Sequence, residues 1–407
     1  MTGVTIDHLV AATTFIAAIV LFMGLFTQTL QTAILYQQNR HVALKASDLL
    51  DNILLNPGYP YNWGVTNTTL SVFGLQKPGE SGYSLSSFAL MRLTSLSGEP
   101  VEYPRDSGIW YNNVSIGPDS YLFIPISDTI DYETASRLLG INGTYGFQLS
   151  IAPIADVSIS EHQSNPLTLK VEVKGLGFPL SGAILRYYFY RAYGTSQYGA
   201  LELSTGVAKA DSSGVAYLNF TLDGDIETYT IIVYASLSGI LGLGHYSHRT
   251  FTQGSGVMPF VVDYEKGKIY LAHSWDVHDS GTPVPDYKFN ATFFTLTEDR
   301  DFQEWAIANS TGHLNYGSRN YEITTLPIGQ PGFLLVTYRS GNEFGMTLMP
   351  WGIGTLATTA LFGGNPTGSV WTATDLRQVT VDQMAYNAKI TCWSLEGYQI
   401  WEPSRGW

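Results

Sequence analysis

Charge is what this chain has least of. Only 14% of its 407 residues are Asp, Glu, Lys or Arg, and acidic residues outnumber basic ones, 34 to 21. A net charge of −13 excludes a nucleic-acid surface, which needs clustered Lys and Arg to replace the counterions of phosphate. Cysteine is nearly absent too. A single cysteine, Cys392, rules out an internal disulfide. It alternates in phase with Tyr386, Ala388 and Ile390 and reads as a small core residue. No basic or His neighbour along the chain marks it as a reactive thiol. A nucleophile elbow, a phosphate-binding glycine loop and a zinc-protease motif are missing as well. No catalytic residue and no cofactor is therefore expected, and the chain reads as something other than an enzyme.

What is present is Gly, Tyr, Ser and Thr, with an ordinary hydrophobic content of 44%. That composition suits β-rich surface proteins. Six asparagines begin N-x-S/T sequons: Asn67, Asn113, Asn142, Asn219, Asn290 and Asn309. They fall on every segment after residue 56, and they favour a glycosylated, exported chain.

The N-terminus carries the strongest pattern. From Val4 to Phe26 the only charged side chain is Asp7, and Leu9 to Phe26 is a run of eighteen apolar, small and Thr residues. Nothing stops the helix there. It continues through Gln28, Gln31, Gln37, Gln38, Arg40, Lys45 and Asp48 to Asn56-Pro57-Gly58. A helix from Thr5 to Leu55 would be about 75 Å long, whereas a membrane span needs only about 20 residues. Leu35, Val42 and Leu49 recur every seven residues, with Ala46 and Ile53 between, giving a narrow apolar stripe in the excess half. Ala11, Ala12, Ala17, Ala18 and Gly24 would permit close helix–helix approach. Asp7 is placed in the first turn, where a negative charge meets the helix dipole favourably.

Three readings of this helix compete. A cleaved signal peptide lacks its basic start and its small-residue cleavage site here. A single-span anchor fits the length. Its flanking charges, Arg40 and Lys45 after the span and Asp7 before it, place the bulk of the chain inside, against the sequons. An assembly helix would pack partly on the chain's own head and partly on neighbouring helices.

The order of short start, early acid, apolar run, amphipathic continuation and β-rich head resembles the type IV pilins, in particular archaeal pilin-like and archaellin-like filament subunits. The resemblance covers the first 55 residues. It implies that the helix sits in the membrane before assembly and then becomes the core of a homopolymeric filament. Leu9, Phe15, Ile16, Ile19, Val20, Phe22, Met23, Phe26, Leu30 and Ile34 would line that core. Leu35, Val42, Ala46, Leu49 and Ile53 would pack on the head or on another subunit, and Asp7 would neutralise a neighbouring amino terminus. It also implies processing after Gly3, although Met1-Thr2-Gly3 lacks the family's basic residues.

The expected fold is α+β and mainly β: an assembly helix over 1–55, a small α+β domain over 56–155, an Ig-like β-sandwich over 156–255 and a β-rich domain over 256–407. Tyr132 to Leu139 reads as a helix ended by Gly140 and Gly143, and Ser86 to Ser95 as a shorter one. Leu167 to Val173 and Ala216 to Leu222 alternate as strands, separated by turn chemistry at Gly175–Pro179 and Asp211–Gly214. The latter turn and strand resemble the Ig-like domains of microbial surface proteins. Trp351 to Phe362 is apolar but too short for a second span, and reads as core or subunit contact.

Two histidine groups, His245 with His248 and His273 with His278 beside Asp276 and Asp279, are weighed as metal ligands. A His-x-x-His pair on a strand points to opposite faces, so surface turn histidines are expected instead. Asp223, Asp225 and Glu227, and Glu298, Asp299, Arg300 and Asp301, match no EF-hand loop and read as solvated turns. The sequence thus favours a structural subunit displaying glycosylated domains at the cell surface. The alternative is a single-pass anchored adhesin or envelope-layer binder, and contacts to glycans or other cells fit either.

Overall fold

The computed structural model describes residues 2–93, 100–104, 106–117, 120–193, 200–221, 228–249, 256–273, 286–296, 302–314, 321–340, 343–352, 359–366 and 371–395. The chain begins with one 53-residue helix, α1 (Thr2–Leu54). It stops where Pro57 has no amide to donate and Gly58 turns with φ +79°. The chain returns to pair carbonyls at this end: Leu75 N donates to Ile53 O, and Gln76 N to Asn56 O just past the helix. That return strand passes so close that a Cβ on Gly74 would lie 2.1 Å from Asn56 O.

The next segment carries β1 (Ser84–Leu85), α2 (Ser87–Met91), β2 (Val101–Glu102), β3 (Trp110–Gly117), β4 (Ser120–Pro125), α3 (Tyr132–Leu138) and β5 (Tyr145–Pro153). Both short helices have side-chain caps, Ser86 for α2 and Asp131 for α3. Strands β6 (Ala155–Ser164), β7 (Leu167–Gly175), β8 (Phe178–Pro179), β9 (Ile184–Tyr193) and β10 (Ala200–Lys209) follow. Then come β11 (Val215–Phe220), β12 (Thr228–Leu237) and β13 (Ile240–Arg249). The rest of the chain contributes β14 (Val257–Asp263), β15 (Lys268–His273), β16 (Tyr287–Leu296), β17 (Phe302–Trp305), β18 (Thr311–Leu314) and β19 (Tyr321–Thr325). It ends with β20 (Gly332–Ser340), β21 (Glu343–Trp351), β22 (Ala360–Gly363), β23 (Thr372–Val381) and β24 (Met384–Ser394). The architecture is α+β and mainly β.

Residues 155–249 form two facing sheets, β10-β9-β12-β13 and β11-β7-β6. Val171, Val173, Leu185, Phe189, Leu218, Phe220, Ile231 and Val233 fill the space between them, as alternating strands require. The turn at Asp211 forms as expected. Its carboxylate accepts from Ser213 N at 2.8 Å and Val215 N at 2.9 Å.

Strand pairing cuts across the other two expected domains. β4, from the segment before residue 155, lies between β21 and β14 in an 11-stranded sheet otherwise built largely from residues 257–351. That sheet curls around Leu122, Ile124, Phe289, Phe293, Leu334, Val336 and Trp351. It comes back on itself through an Ala308–Thr325 bridge. Conversely β23 and β24, the last strands described, pair with β5 and β1 in a five-stranded sheet. The linear division at 56–155 and 256–407 is corrected accordingly: neither segment closes a sheet without strands from the other. Buried Arg92 ties the first segment internally. Its guanidinium donates to the carbonyls of Trp63, Thr66 and Asp128 and lies over the Trp63 and Tyr264 rings.

The three sheets meet at one junction. Tyr188, Tyr190, Ile232, Tyr234, Leu241 and Leu243 on the outer face of the sandwich pack with Phe294, Phe333 and Leu348 of the large sheet and Tyr386 of the small one. Two ionisable groups are caught there. His245 shares the phase of Leu241 and Leu243, and both ring nitrogens are buried without a partner. Burial lowers its pKa from 6.5 to about 4. Asp382 lies in the β23–β24 turn near Tyr234, and burial raises its pKa to about 6 against a hydrogen bond from Ser87.

These groups tilt stability in opposite directions. The His245 contribution is complete above pH 6.5 and is lost as pH falls toward 4. The Asp382 contribution is complete below its ordinary 3.8 and is lost as pH rises through about 6. Relative to the parent chain, His245→Leu should gain stability as pH falls from 6.5 to 4, and Asp382→Asn should lose it, each by a few kcal/mol. Denaturant midpoints measured across that range check both signs.

Candidate functional site

The site is α1 and its seat on the head. The helix divides sharply. From Ile6 to His41 its described side chains are exposed around the whole circumference. Leu9, Phe15, Ile16, Ile19, Val20, Phe22, Met23, Phe26, Leu30 and Ile34 all stand open, with Phe22 70% accessible. From Val42 onward one side is buried: Val42, Ala46, Leu49, Leu50, Ile53 and Leu54 are all at 3% or less. They pack on the five-stranded sheet against Leu149, Ile151, Val379, Val381, Ala388, Ile390 and Cys392. The helix is long and apolar enough to cross a membrane, over a stretch none of which is buried in the head.

The apolar half has little unsatisfied polarity of its own. Thr27 and Thr29 donate to the carbonyls of Met23 and Leu25 at 2.8 Å, and Thr13, Thr14 and Thr32 likewise bond back along the helix. Their hydroxyls can therefore enter lipid or a protein core without losing a hydrogen bond.

Where the helix lies on the sheet, one polar cluster joins them. The odd-numbered row of β23 faces α1 and carries Arg377 and Asp375. Arg377 Nε lies 3.0 Å from Asp51 Oδ1, and its Nη2 3.3 Å from Asp51 Oδ2 and 3.0 Å from Ser47 Oγ. Tyr83 OH donates to Asp51 Oδ1 at 3.0 Å, and Asp375 Oδ2 takes Arg377 Nη1 at 2.8 Å. The hydrogen bonds to Asp51, then Tyr83, push the guanidinium pKa further up. The bidentate fork fixes an orientation that apolar packing alone does not. Further along, Lys45 lies over the Tyr145 ring, 5.9 Å from its centroid.

Of the residues picked out in the sequence, Val42, Ala46, Leu49 and Ile53 come together against the head, while Leu35 does not and remains 46% exposed. The stripe missed Leu50 and Leu54, whose spacing from Ala46 and Leu49 extends the same face. It also missed Arg377, for which the signal was a charged pair on the buried phase of a strand. Asp7 falls in the second turn, because the helix begins at Thr2 rather than Thr5. The dipole argument is weaker there.

Asn67, Asn142, Asn219 and Asn309 are exposed. Asn113 and Asn290 are half-buried in β3 and β16, and Asn113 Oδ1 is enclosed. Among the described residues, His245, His248 and His273 are not turn residues. His245 and His248 lie on β13 and His273 on β15, because these segments pair in antiparallel ladders. His245 and His248 do face opposite sides: His248 Nδ1 is 3.2 Å from Glu161 and its ring stacks on Tyr229. His273 is buried against Tyr287. His278, Asp276 and Asp279 lie outside the described residues, as do Asp223, Asp225 and Glu227, and Glu298, Asp299, Arg300 and Asp301. Within Trp351–Phe362, Trp351 and Phe362 are core residues, and 353–358 lie outside the described residues.

No protein-family model and no curated protein matches the chain. Among solved structures, Salmonella alpha-2-macroglobulin reacted with methylamine is similar to 66% of this chain at 11% identity, with a TM-score of 0.19. The chain spans 19% of that protein's length. A likeness at that score carries no argument about this molecule.

Replacing Arg377 with Met should loosen the helix while leaving the apolar seat in place, at a cost of about 1–2 kcal/mol for a partly exposed, multiply bonded pair. Amide exchange should quicken in residues 42–54 of α1 and stay unchanged in the sandwich.

Proposed function

We propose that this chain is a structural subunit that polymerises through α1 into an extracellular filament and displays its β-rich head outward. The observation that carries this reading is the uncovered apolar surface on every side of α1. Such a surface needs an apolar surrounding on all sides, either lipid or other helices.

Length separates the two. Ile6 to Phe26 is about 32 Å of helix, close to the thickness of a bilayer core. This favours membrane residence before assembly, and it equally suits the second reading, a single-pass anchored surface protein. Beyond Phe26, however, Leu30, Ile34, Leu35, Tyr36 and Leu44 are also exposed. They extend past the bilayer and are not covered by the chain's own head. Neighbouring copies of α1, staggered along an axis, would cover both stretches at once. In this reading the head carries glycans on Asn67, Asn142, Asn219 and Asn309, where the side chain is open. Its role is structural and adhesive rather than catalytic.

Ile19→Asp should abolish filaments, because a carboxylate placed mid-helix is buried unpaired in either setting. Deleting residues 1–30 should release a soluble head that forms no filament-sized polymer. Electron microscopy of sheared cell-surface fractions checks the first, and light scattering the second. Full-length chain that remains with detergent-extracted membrane and yields no filaments would favour the anchor.

A further inference from the structure

The sandwich ends in an unprotected strand. β10 closes the sheet β10-β9-β12-β13, and among the described residues no strand pairs with its outer edge. It runs ten residues in unbroken register with β9. Edge strands are commonly blunted by Pro, by inward charge or by bulges. Strand β6, an edge of the facing sheet, carries a register shift. β10 has no shift and no Pro, and its one lysine, Lys209, comes at the final position.

Its outward row is apolar at Leu201, Leu203 and Val207, with Thr205 at its middle and Lys209 at its end. Leu201, Leu203, Thr205 and Val207 share the face of Tyr188 and Tyr190 on β9. Leu201 packs at the margin of the three-sheet junction, and the row then runs out into solvent. Leu203 is 48% exposed, Val207 66% and the neighbouring Ile184 52%. An established internal interface therefore continues into an open apolar strip beside a free backbone edge. A free edge of this length offers a row of amides and carbonyls to which another strand can add.

The side chains identify that strand. Reversed about Thr205, the row is complementary to itself. Leu203 falls opposite Val207, Ser204 opposite Gly206 and Thr205 opposite Thr205, while Lys209 at the end of the strand comes opposite Leu201. A slip of one residue would turn the apolar row to the other face. No like charges come opposite one another, and Glu202 is already held by Arg191 at 2.9 Å within its own copy. We propose that β10 docks antiparallel on β10 of a second copy of this chain, merging two four-stranded sheets into one.

The contact is independent of α1, so it is tested separately from assembly through the helix. In full-length chain carrying Cys392→Ala, Thr205→Cys places two thiols directly opposite, within about 5.5 Å between Cα atoms. A short bismaleimide should then give a covalent dimer. Tyr217→Cys, exposed on the other sheet, reports any proximity that the helix alone creates. Adding Val207→Lys to the Thr205→Cys chain should cut dimer yield about tenfold, with unchanged far-ultraviolet circular dichroism. Cross-linking at Thr205 no greater than at Tyr217 would overturn the proposal. So would a yield unaffected by Val207→Lys, or an adduct whose mass shows a different protein.

Discussion

Burial of the last turns of α1 against a five-stranded sheet is the contact around which the rest of the molecule is arranged. Val42, Ala46, Leu49, Leu50, Ile53 and Leu54 present one apolar side, and a helix cannot bury such a side alone. The cover comes from both ends of the chain: β5 from before the sandwich, β23 and β24 from after the large sheet. The topology follows from this. Because the helix comes first and its closing strands come last, the intervening sheets emerge as excursions that must return. The large sheet accordingly borrows β4 from the first segment before the chain completes it. Long-range pairing of this kind carries a high loop-closure cost, which the shared core has to offset.

The same contact gives the exposed half of the helix its mechanical meaning. A helix frayed or hinged at the head surface would transmit no orientation. Here α1 passes from full exposure to burial of one side without a break, and the Arg377–Asp51 fork with Ser47 and Tyr83 limits rotation about the helix axis. The outer half is therefore held in a defined direction relative to the head. Its threonine hydroxyls are turned inward to its own carbonyls, so transfer from lipid to protein would change little in its hydrogen bonding. Gln28 and Gln31 mark where the surroundings must supply polar partners.

Much of this was legible in the sequence, where a local pattern decides the structure. The long helix, its Asn56-Pro57-Gly58 stop, the Tyr132 helix and the alternating strands of the sandwich each follow from spacing and turn chemistry. The domain boundaries did not, because which strand pairs with which is not local. Nothing in Asn387–Trp393 announces that its partner is Tyr145–Pro153. Of the stripe, Val42, Ala46, Leu49 and Ile53 are buried and Leu35 is exposed, since periodicity gives a face but not the point at which the cover ends. The histidines were misplaced for a related reason. A polar residue in an otherwise apolar strand reads as a turn until its ladder is known, and His245 sits inside that ladder opposite Ile232.

The two surfaces left open, α1 and β10, differ in physical kind, and the difference bears on what an assembly of this chain can do. Association along α1 would be apolar and tolerant of sliding, since small residues and the apolar circumference from Leu9 to Phe26 specify no single register. A β-edge is the reverse: its bonds are directional, and one register satisfies the side chains. A polymer built on the helix alone would be cohesive but weakly specified in rotation. Heads tied to their helices by a bidentate fork convert any fixed contact between heads into a fixed stagger between helices. A rigid seat of α1 would thus let a directional contact between heads govern a non-directional one between helices.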